Sequence, residues 1–194
     1  VVKLAHAGPR EAAVNLPETV RPALGSTARS TVYGQKESVP ARQVSNLTDK
    51  EVYIVLTDTM PQGIAALLAC NFEADFATNC QTMTEAAKNT QTAEITTAVR
   101  TVHIDGVRVR EGDFIGLING NLTVAGQNIE DVIRDTLQRM HIDRYEILTL
   151  YYGQDVTAQE AQETAKRIKA QYSRIEIEVV DGGQPYYAYI LSAE

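Results

Sequence analysis

The chain of 194 residues has no tryptophan, two cysteines and three histidines. Cys70 and Cys80 are too few for a disulfide framework and wrongly spaced for a Cys-x-x-Cys site, which suits a reducing compartment; a cytoplasmic location is expected. His6, His103 and His141 are scattered without His-Glu-x-x-His or His-x-His pairing, so no metal site is expected. No apolar run reaches the ~18 residues of a membrane-spanning helix. Positive charge is also scarce: 18 Lys and Arg against 25 Asp and Glu leave a formal net charge of -7. That balance lacks the electrostatic footprint of a nucleic-acid binder and favours a neutral or basic partner surface.

Recognisable catalytic motifs are missing too. There is no Gly-x-x-x-x-Gly-Lys-Ser/Thr loop, and Gly116, Gly120 and Gly126 are spaced wrongly for a dinucleotide fingerprint. Neither a Gly-x-Ser-x-Gly elbow nor a cysteine with a histidine at motif distance is found. No catalytic residues are expected. The opening residues 1–8 hold too short an apolar stretch for a signal peptide and no initiator Met, so the chain reads as a piece of a longer protein.

What is present is an ordinary globular composition, with 44% hydrophobic and 22% charged residues. Residues 1–47 show no sustained period and are expected to be irregular; residues 48–92 form a first α/β lobe and residues 93–194 a mixed-sheet domain. An apolar, β-branched strand over 51–57 leads into Thr59-Met60-Pro61-Gln62, which has capping-box spacing with Pro in the first turn. A second helix over 73–89 carries Phe76, Cys80, Met83 and Ala87 on one face. One long strand is expected over 94–104, ending in the hairpin turn Asp105-Gly106. Strands over 107–109, 113–118 and 121–124 should follow it as an antiparallel meander with Asn119-Gly120 at a tight turn. A helix over 129–140, a strand over 146–152, a helix opened by the Thr157–Glu160 capping box, a strand over 174–180 and a strand over 186–192 complete the chain. The fold class is α/β to α+β: a mixed sheet with helices on one face and an incomplete or irregular N-terminal lobe.

Three groups of residues are candidates for function. Thr57, Asp58, Thr59, Gln62 and Gly63 gather hydroxyls, a carboxylate, an amide and free helix N–H groups at one strand end, as a ligand site or as plain capping. Seven of the nine tyrosines lie in the last fifty residues. Of these, Tyr151, Tyr152, Tyr186, Tyr187 and Tyr189 are candidates for binding a partner, because tyrosine on a rigid strand offers contact area at little entropy cost. Consecutive tyrosines must point to opposite sheet faces. The turn Gly182-Gly183-Gln184-Pro185 reads as structural, with glycine supplying positive φ.

Several segments resemble one family. Pro61-Gln62-Gly63-Ile64-Ala65-Ala66-Leu67-Leu68-Ala69, then Gly112-Asp113-Phe114-Ile115-Gly116, then Glu146-Ile147-Leu148-Thr149-Leu150-Tyr151-Tyr152-Gly153, and finally Gly182-Gly183-Gln184-Pro185-Tyr186-Tyr187-Ala188-Tyr189 with its following strand, resemble the C-terminal domain of the ATP-binding subunit of fatty acid kinase. That family is also described as dihydroxyacetone-kinase-like or DAK phosphatase. The resemblance is collinear from about residue 41 to 194. It implies a bacterial, DegV- and dihydroxyacetone-kinase-like fold within a lipid-metabolism transferase. ATP and magnesium are expected in the parent protein's N-terminal domain, and no cofactor in this part. The implied role is noncatalytic docking of a DegV-like fatty-acid-binding protein during acyl phosphate formation, with homodimerisation through the parent. Two segments that the family shows upstream of the first matched strand have no counterpart in residues 20–40. The alternatives are a small-molecule-binding or phosphotransfer domain related to dihydroxyacetone kinase, and a structural dimerisation module.

Overall fold

In the computed structural model, residues 51–104 and 106–194 are described in full, together with the backbone of Lys3–His6, Ala12–Ala13 and Ser30–Gly34. The chain divides into two compact units, Val1–Thr90 and Gln91–Glu194.

The first unit contains strands β1 (Lys3–His6), β2 (Ala12–Ala13), β3 (Ser30–Gly34) and β4 (Val52–Leu56) in the order β2-β1-β3-β4. β1, β3 and β4 run parallel, and β2 pairs antiparallel with β1. Residues 1–47 were expected to be irregular, yet they contribute three strands; the β-branched Thr31 and Val32 suit the pairing of β3 with β4. The rest of that segment lies outside the described residues.

Helices α1 (Met60–Leu68) and α2 (Phe76–Asn89) follow β4. Val55, Ala66, Met83 and Ala87 make a small core, with Leu67 and Cys70 against it. α2 begins three residues later than the sequence suggests. Asn71 closes a turn by accepting from the Glu73 N–H at 3.0 Å, and Asp75 caps the helix by accepting from the Thr78 N–H at 2.9 Å. Those bonds, led by the Thr78 N–H, hold the Asp75 carboxyl below the usual carboxylate range.

The second unit is a six-stranded sheet in the order β11-β10-β12-β5-β8-β9. Its strands are β5 (Gln91–Thr97), β8 (Phe114–Ile118), β9 (Asn121–Gly126), β10 (Ile147–Tyr152), β11 (Glu176–Asp181) and β12 (Tyr187–Ala193). Only β10 and β11 pair in parallel, and helix α4 (Ala158–Gln171) connects them; the other neighbours are antiparallel. Helix α3 (Ile129–Arg139) and α4 both pack on one face, against Ala93, Ile95, Leu148, Leu150, Leu191 and Ala193. The hydrophobic stripe of α3 supplies the buried Val132, Ile133 and Leu137.

Local signals set most boundaries here. Asn128 caps α3 by accepting from the N–H groups of Glu130 and Asp131. His141, at φ 53°, ends it in the left-handed conformation. Thr157 and Glu160 form the reciprocal capping box at the start of α4. Asn119 and Gly120, at φ 48° and 79°, make the tight β8–β9 turn.

The expected long strand over 94–104 is two strands. β5 ends at Thr97 because Ala98 spends both backbone groups on the next turn: its N–H donates to the Asp113 carbonyl at 2.8 Å and its carbonyl accepts from the Gly112 N–H at 2.9 Å. β6 (Val102–Ile104) and β7 (Val107–Val109) then pair with each other as a separate hairpin. The meander is therefore β5-β8-β9, and β7 does not join it. Asp105 of the expected turn lies outside the described residues, while Gly106 sits at φ 80°.

Candidate functional site

The strand end in the first unit forms as a closed helix start. Thr57, Thr59 and Gly63 are buried, Gln62 is half-buried and Asp58 is exposed. The capping box expected from Thr59 and Gln62 does not form, since the Thr59 side chain caps no N–H. Gln62 closes the turn one residue earlier instead. Its Oε1 accepts from the Asp58 N–H at 2.8 Å, and its Nε2 donates to the Thr90 carbonyl at 3.3 Å. Both ends of the amide are thus used within the chain. The Thr59 hydroxyl is buried without a hydrogen-bond partner.

The five tyrosines divide between the two sheet faces. On β10, Leu148 and Leu150 point to the helices and Tyr152 packs beside them, so Tyr151 projects from the opposite face. On β12, a bulge decides the outcome. Tyr187 pairs with Thr96 and Tyr189 with the adjacent Ile95, so one residue of β12 is extra. Ala188 and Tyr189 both pack on the helix-side core. Tyr187 is thereby sent to the face that bears Tyr151. Tyr189 is only 3% exposed, with its hydroxyl 3.2 Å from Thr164 Oγ1 on α4. It is a core residue, not a docking one. Tyr186 lies 83% exposed at φ 70°, a backbone conformation that few aromatic residues adopt. Its carbonyl accepts the Thr96 hydroxyl.

Gly182, Gly183, Gln184 and Pro185 hold this end of the sheet. The N–H groups of Gly182 and Gly183 both donate to the Tyr152 carbonyl, at 3.0 and 3.2 Å. Gln184 Nε2 donates to the Tyr151 carbonyl at 3.1 Å, and the Gln154 N–H donates to the Gln184 carbonyl at 3.2 Å. Gly183 has φ 57°, as its turn role requires. Gln184 Oε1 is buried without a partner.

Two residues of this region were not singled out by sequence reasoning. Gly153 runs directly beneath the turn: a Cβ there would strike the Tyr187 carbonyl and sit 2.8 Å from the Gln184 carbonyl oxygen. The Gly-Gln-Asp that ends β10 was its visible signal. Glu94 is the only charged residue in the β5 segment Gln-Thr-Ala-Glu-Ile-Thr-Thr, and that isolation was the signal available. Its register partner on β12 is Ile190, on the face of Tyr151.

Electrostatics follow from these positions. Burial, and then the carboxylates of Glu194 and Glu178, push the Tyr151 hydroxyl up. Burial and then Glu94 do the same to Tyr187. Burial followed by Asp181 raises Tyr152. Desolvation raises Glu94 itself. Among the described residues, no group of three or more His, Cys, Asp or Glu could hold a metal ion, and no helix is long and apolar enough to cross a membrane.

Several known proteins share this architecture. The chain is similar to the fatty acid kinase (Fak) B3 protein of Streptococcus pneumoniae loaded with linoleic acid. The TM-score is 0.62 at 10% identity, covering 91% of this chain and 74% of that one. A DegV family protein of Thermus thermophilus gives 0.58 at 9% identity, over 91% and 74%. The dihydroxyacetone kinase of C. freundii gives 0.58 at 12%, over 90% and 40%. At these identities the likeness is one of fold, and it confirms the expected DegV- and dihydroxyacetone-kinase-like class. In sequence, the chain is 34% identical over 154 residues to Protein YloV of Bacillus subtilis (strain 168), covering 79% of this chain and 28% of that protein. It therefore spans little more than a quarter of the length of that relative. The model of the fatty acid kinase FakA-like, C-terminal family matches residues 36–194, and the chain belongs to that family.

Proposed function

We propose that this chain is the part of a fatty acid kinase that docks a DegV-like fatty-acid-binding protein while the bound acid becomes an acyl phosphate. The observation that carries the reading is the presentation of Tyr151, Tyr186 and Tyr187 at one end of a rigid sheet, in a family named for the kinase. Rigid tyrosines are common interface anchors because burying them costs few rotamers. In this reading the chain is noncatalytic, and Mg-ATP belongs to another part of the parent protein. The described residues do not fit that cofactor: Gly106, Gly112 and Gly120 occupy tight turns between strands, and no acidic cluster suited to magnesium is formed.

The test is direct binding of the 194-residue chain to each DegV-like fatty-acid-binding protein of its source organism, purified and loaded with oleic acid. Saturable binding by calorimetry is expected, together with no acyl phosphate from Mg-ATP and the chain alone. Failure of every carrier to bind would refute docking; acyl phosphate formed by the chain alone would refute the noncatalytic role.

A second reading, a small-molecule or phosphotransfer site related to dihydroxyacetone kinase, is favoured by one observation: the buried, unpartnered Thr59 hydroxyl at the start of α1. Thr59→Val separates the two readings. It leaves carrier binding intact under the docking reading and abolishes ligand binding under the other.

A further inference from the structure

The face of the six-stranded sheet turned away from α3 and α4 is unevenly covered. Thr92, Ile190 and Ser192, near its middle, are buried. The flank made by β10, β11 and the turn before β12 is not: Ile147 is 36% exposed, Val180 38% and Tyr187 39%. Tyr151 pairs with Val180 across this flank, and Thr149 with Glu178. Large apolar side chains on rigid strands, left open at one end of a sheet, have the makeup of an interface core.

Charge says what covers it. The six strands contain not one lysine or arginine. By register, Glu94, Glu176 and Glu178 all lie on this face. Glu194 follows Ala193 onto it, and its carboxylate, like that of Glu178, acts on the Tyr151 hydroxyl. Glu94 is the informative member. It is half-buried beside Tyr187, and among the described residues no hydrogen bond or ion pair reaches its carboxylate. A carboxylate removed from water without a partner is a net cost to the fold. A cation brought by another molecule would offset that cost. A second copy of this chain cannot bring one through the same face, because a twofold contact would set carboxylates against carboxylates.

We propose that the β10–β11 flank, with Tyr151 and Tyr187 as apolar anchors and Glu94, Glu178 and Glu194 as counterions, docks a protein surface that supplies arginine or lysine side chains. The proposal rests on the docking reading, under which that surface belongs to the fatty-acid-binding protein. Glu94 meets the cation nearest the centre, where water is excluded on contact. Glu178 and Glu194 lie further out and act mainly by steering the encounter.

The experiment measures binding of oleate-loaded carrier to the wild-type chain and to Glu94→Gln, Glu178→Gln, Glu178→Lys and Tyr151→Ala, at two salt concentrations. Glu94→Gln is isosteric and relieves a buried charge, so it is expected to fold at least as stably as wild type while binding about tenfold more weakly. Glu178→Gln is expected to lower the on-rate a few-fold and flatten its salt dependence, and Glu178→Lys to lower it further. If Tyr151→Ala weakens binding while all three glutamate variants bind like wild type, the charge assignment is overturned and the docking reading stands. If Tyr151→Ala also binds normally, this flank is not the docking surface. Carrier that fails to bind the wild-type chain overturns both readings. Self-association of the chain lost in Glu178→Lys would replace the basic partner with a second copy.

Discussion

Gly153→Ala is the sharpest test of how the tyrosine-bearing end of the sheet is held. One added methyl would strike the Tyr187 carbonyl and come within 2.8 Å of the Gln184 carbonyl, both of them backbone atoms. A side chain could rotate aside, but backbone cannot, so residues 184–187 must lift as a unit. Inserting a methyl into a packed site costs about 1–3 kcal/mol. Lifting the turn also stretches the bonds from the Gly153 N–H to the Ala188 carbonyl, 2.9 Å, and from the Gln154 N–H to the Gln184 carbonyl, 3.2 Å. At about 1 kcal/mol each, the expected loss totals about 3–5 kcal/mol, a large share of the ~5–15 kcal/mol that holds a typical domain. The control is Gly120→Ala, where φ is 79° and no atom lies within 4 Å of the new Cβ. Only the left-handed backbone penalty of about 1–2 kcal/mol applies there. Urea denaturation followed by tyrosine near-ultraviolet dichroism reads both variants, since no tryptophan interferes. Equal losses in the two, or a Gly153→Ala midpoint unchanged from wild type, would refute the claim that the turn rests on Gly153.

Gly183→Val should lose roughly 1–3 kcal/mol by the same assay, from backbone strain alone, because φ is 57° and the nearest atom to a new Cβ is Asp181 Oδ1 at 3.9 Å. Thr136→Val should gain about 1 kcal/mol, since the Thr136 hydroxyl is fully buried without a partner and valine fills the same space; a loss would show that the hydroxyl is bonded after all. Glu94→Gln should raise the thermal midpoint at about pH 7 and leave it unchanged at about pH 4. The sign follows from the raised carboxyl: its penalty is absent while both folded and unfolded forms are protonated, and it develops as pH climbs through the ordinary carboxylate range toward the higher folded value. A midpoint that falls at neutral pH would mean that a cation already faces Glu94.

Elements specified by their own residues were legible in the sequence. The stripe on α3, the Thr157–Glu160 box and the Asn119-Gly120 turn each depend on neighbours a few positions away, and each formed as expected. Features decided by distant backbone were not legible. Nothing in residues 94–104 announces that Ala98 will bond to residues 112 and 113 and break the strand. Thr59 and Gln62 have the spacing of a capping box, but the Thr90 carbonyl, 28 positions on from Gln62, draws the amide into a different arrangement. For the tyrosines, alternation alone separates Tyr151 from Tyr152. It would also put Tyr187 and Tyr189 on one face, and only the bulge against β5 parts them.

That bulge belongs to a larger asymmetry within the second unit. Where β10, β12 and β5 meet the helices, the ladder is regular and the side chains are aliphatic and buried. Around residues 182–187 the irregularities accumulate: Gly183 and Tyr186 at positive φ, a glycine with no room for a methyl, an amide oxygen without a partner, and a bulge. None of these helps to close the core, and several cost free energy. Their common effect is to move Tyr187 off the core side and hold Tyr186 out in solvent, next to a carboxylate that has no counterion. Strained backbone survives where the surrounding structure over-determines it, and such positions cluster where a protein meets something else. The flank beside this turn is also free of lysine and arginine. The local conformation and the charge distribution therefore lead independently to the same end of the sheet as the place where a basic partner binds.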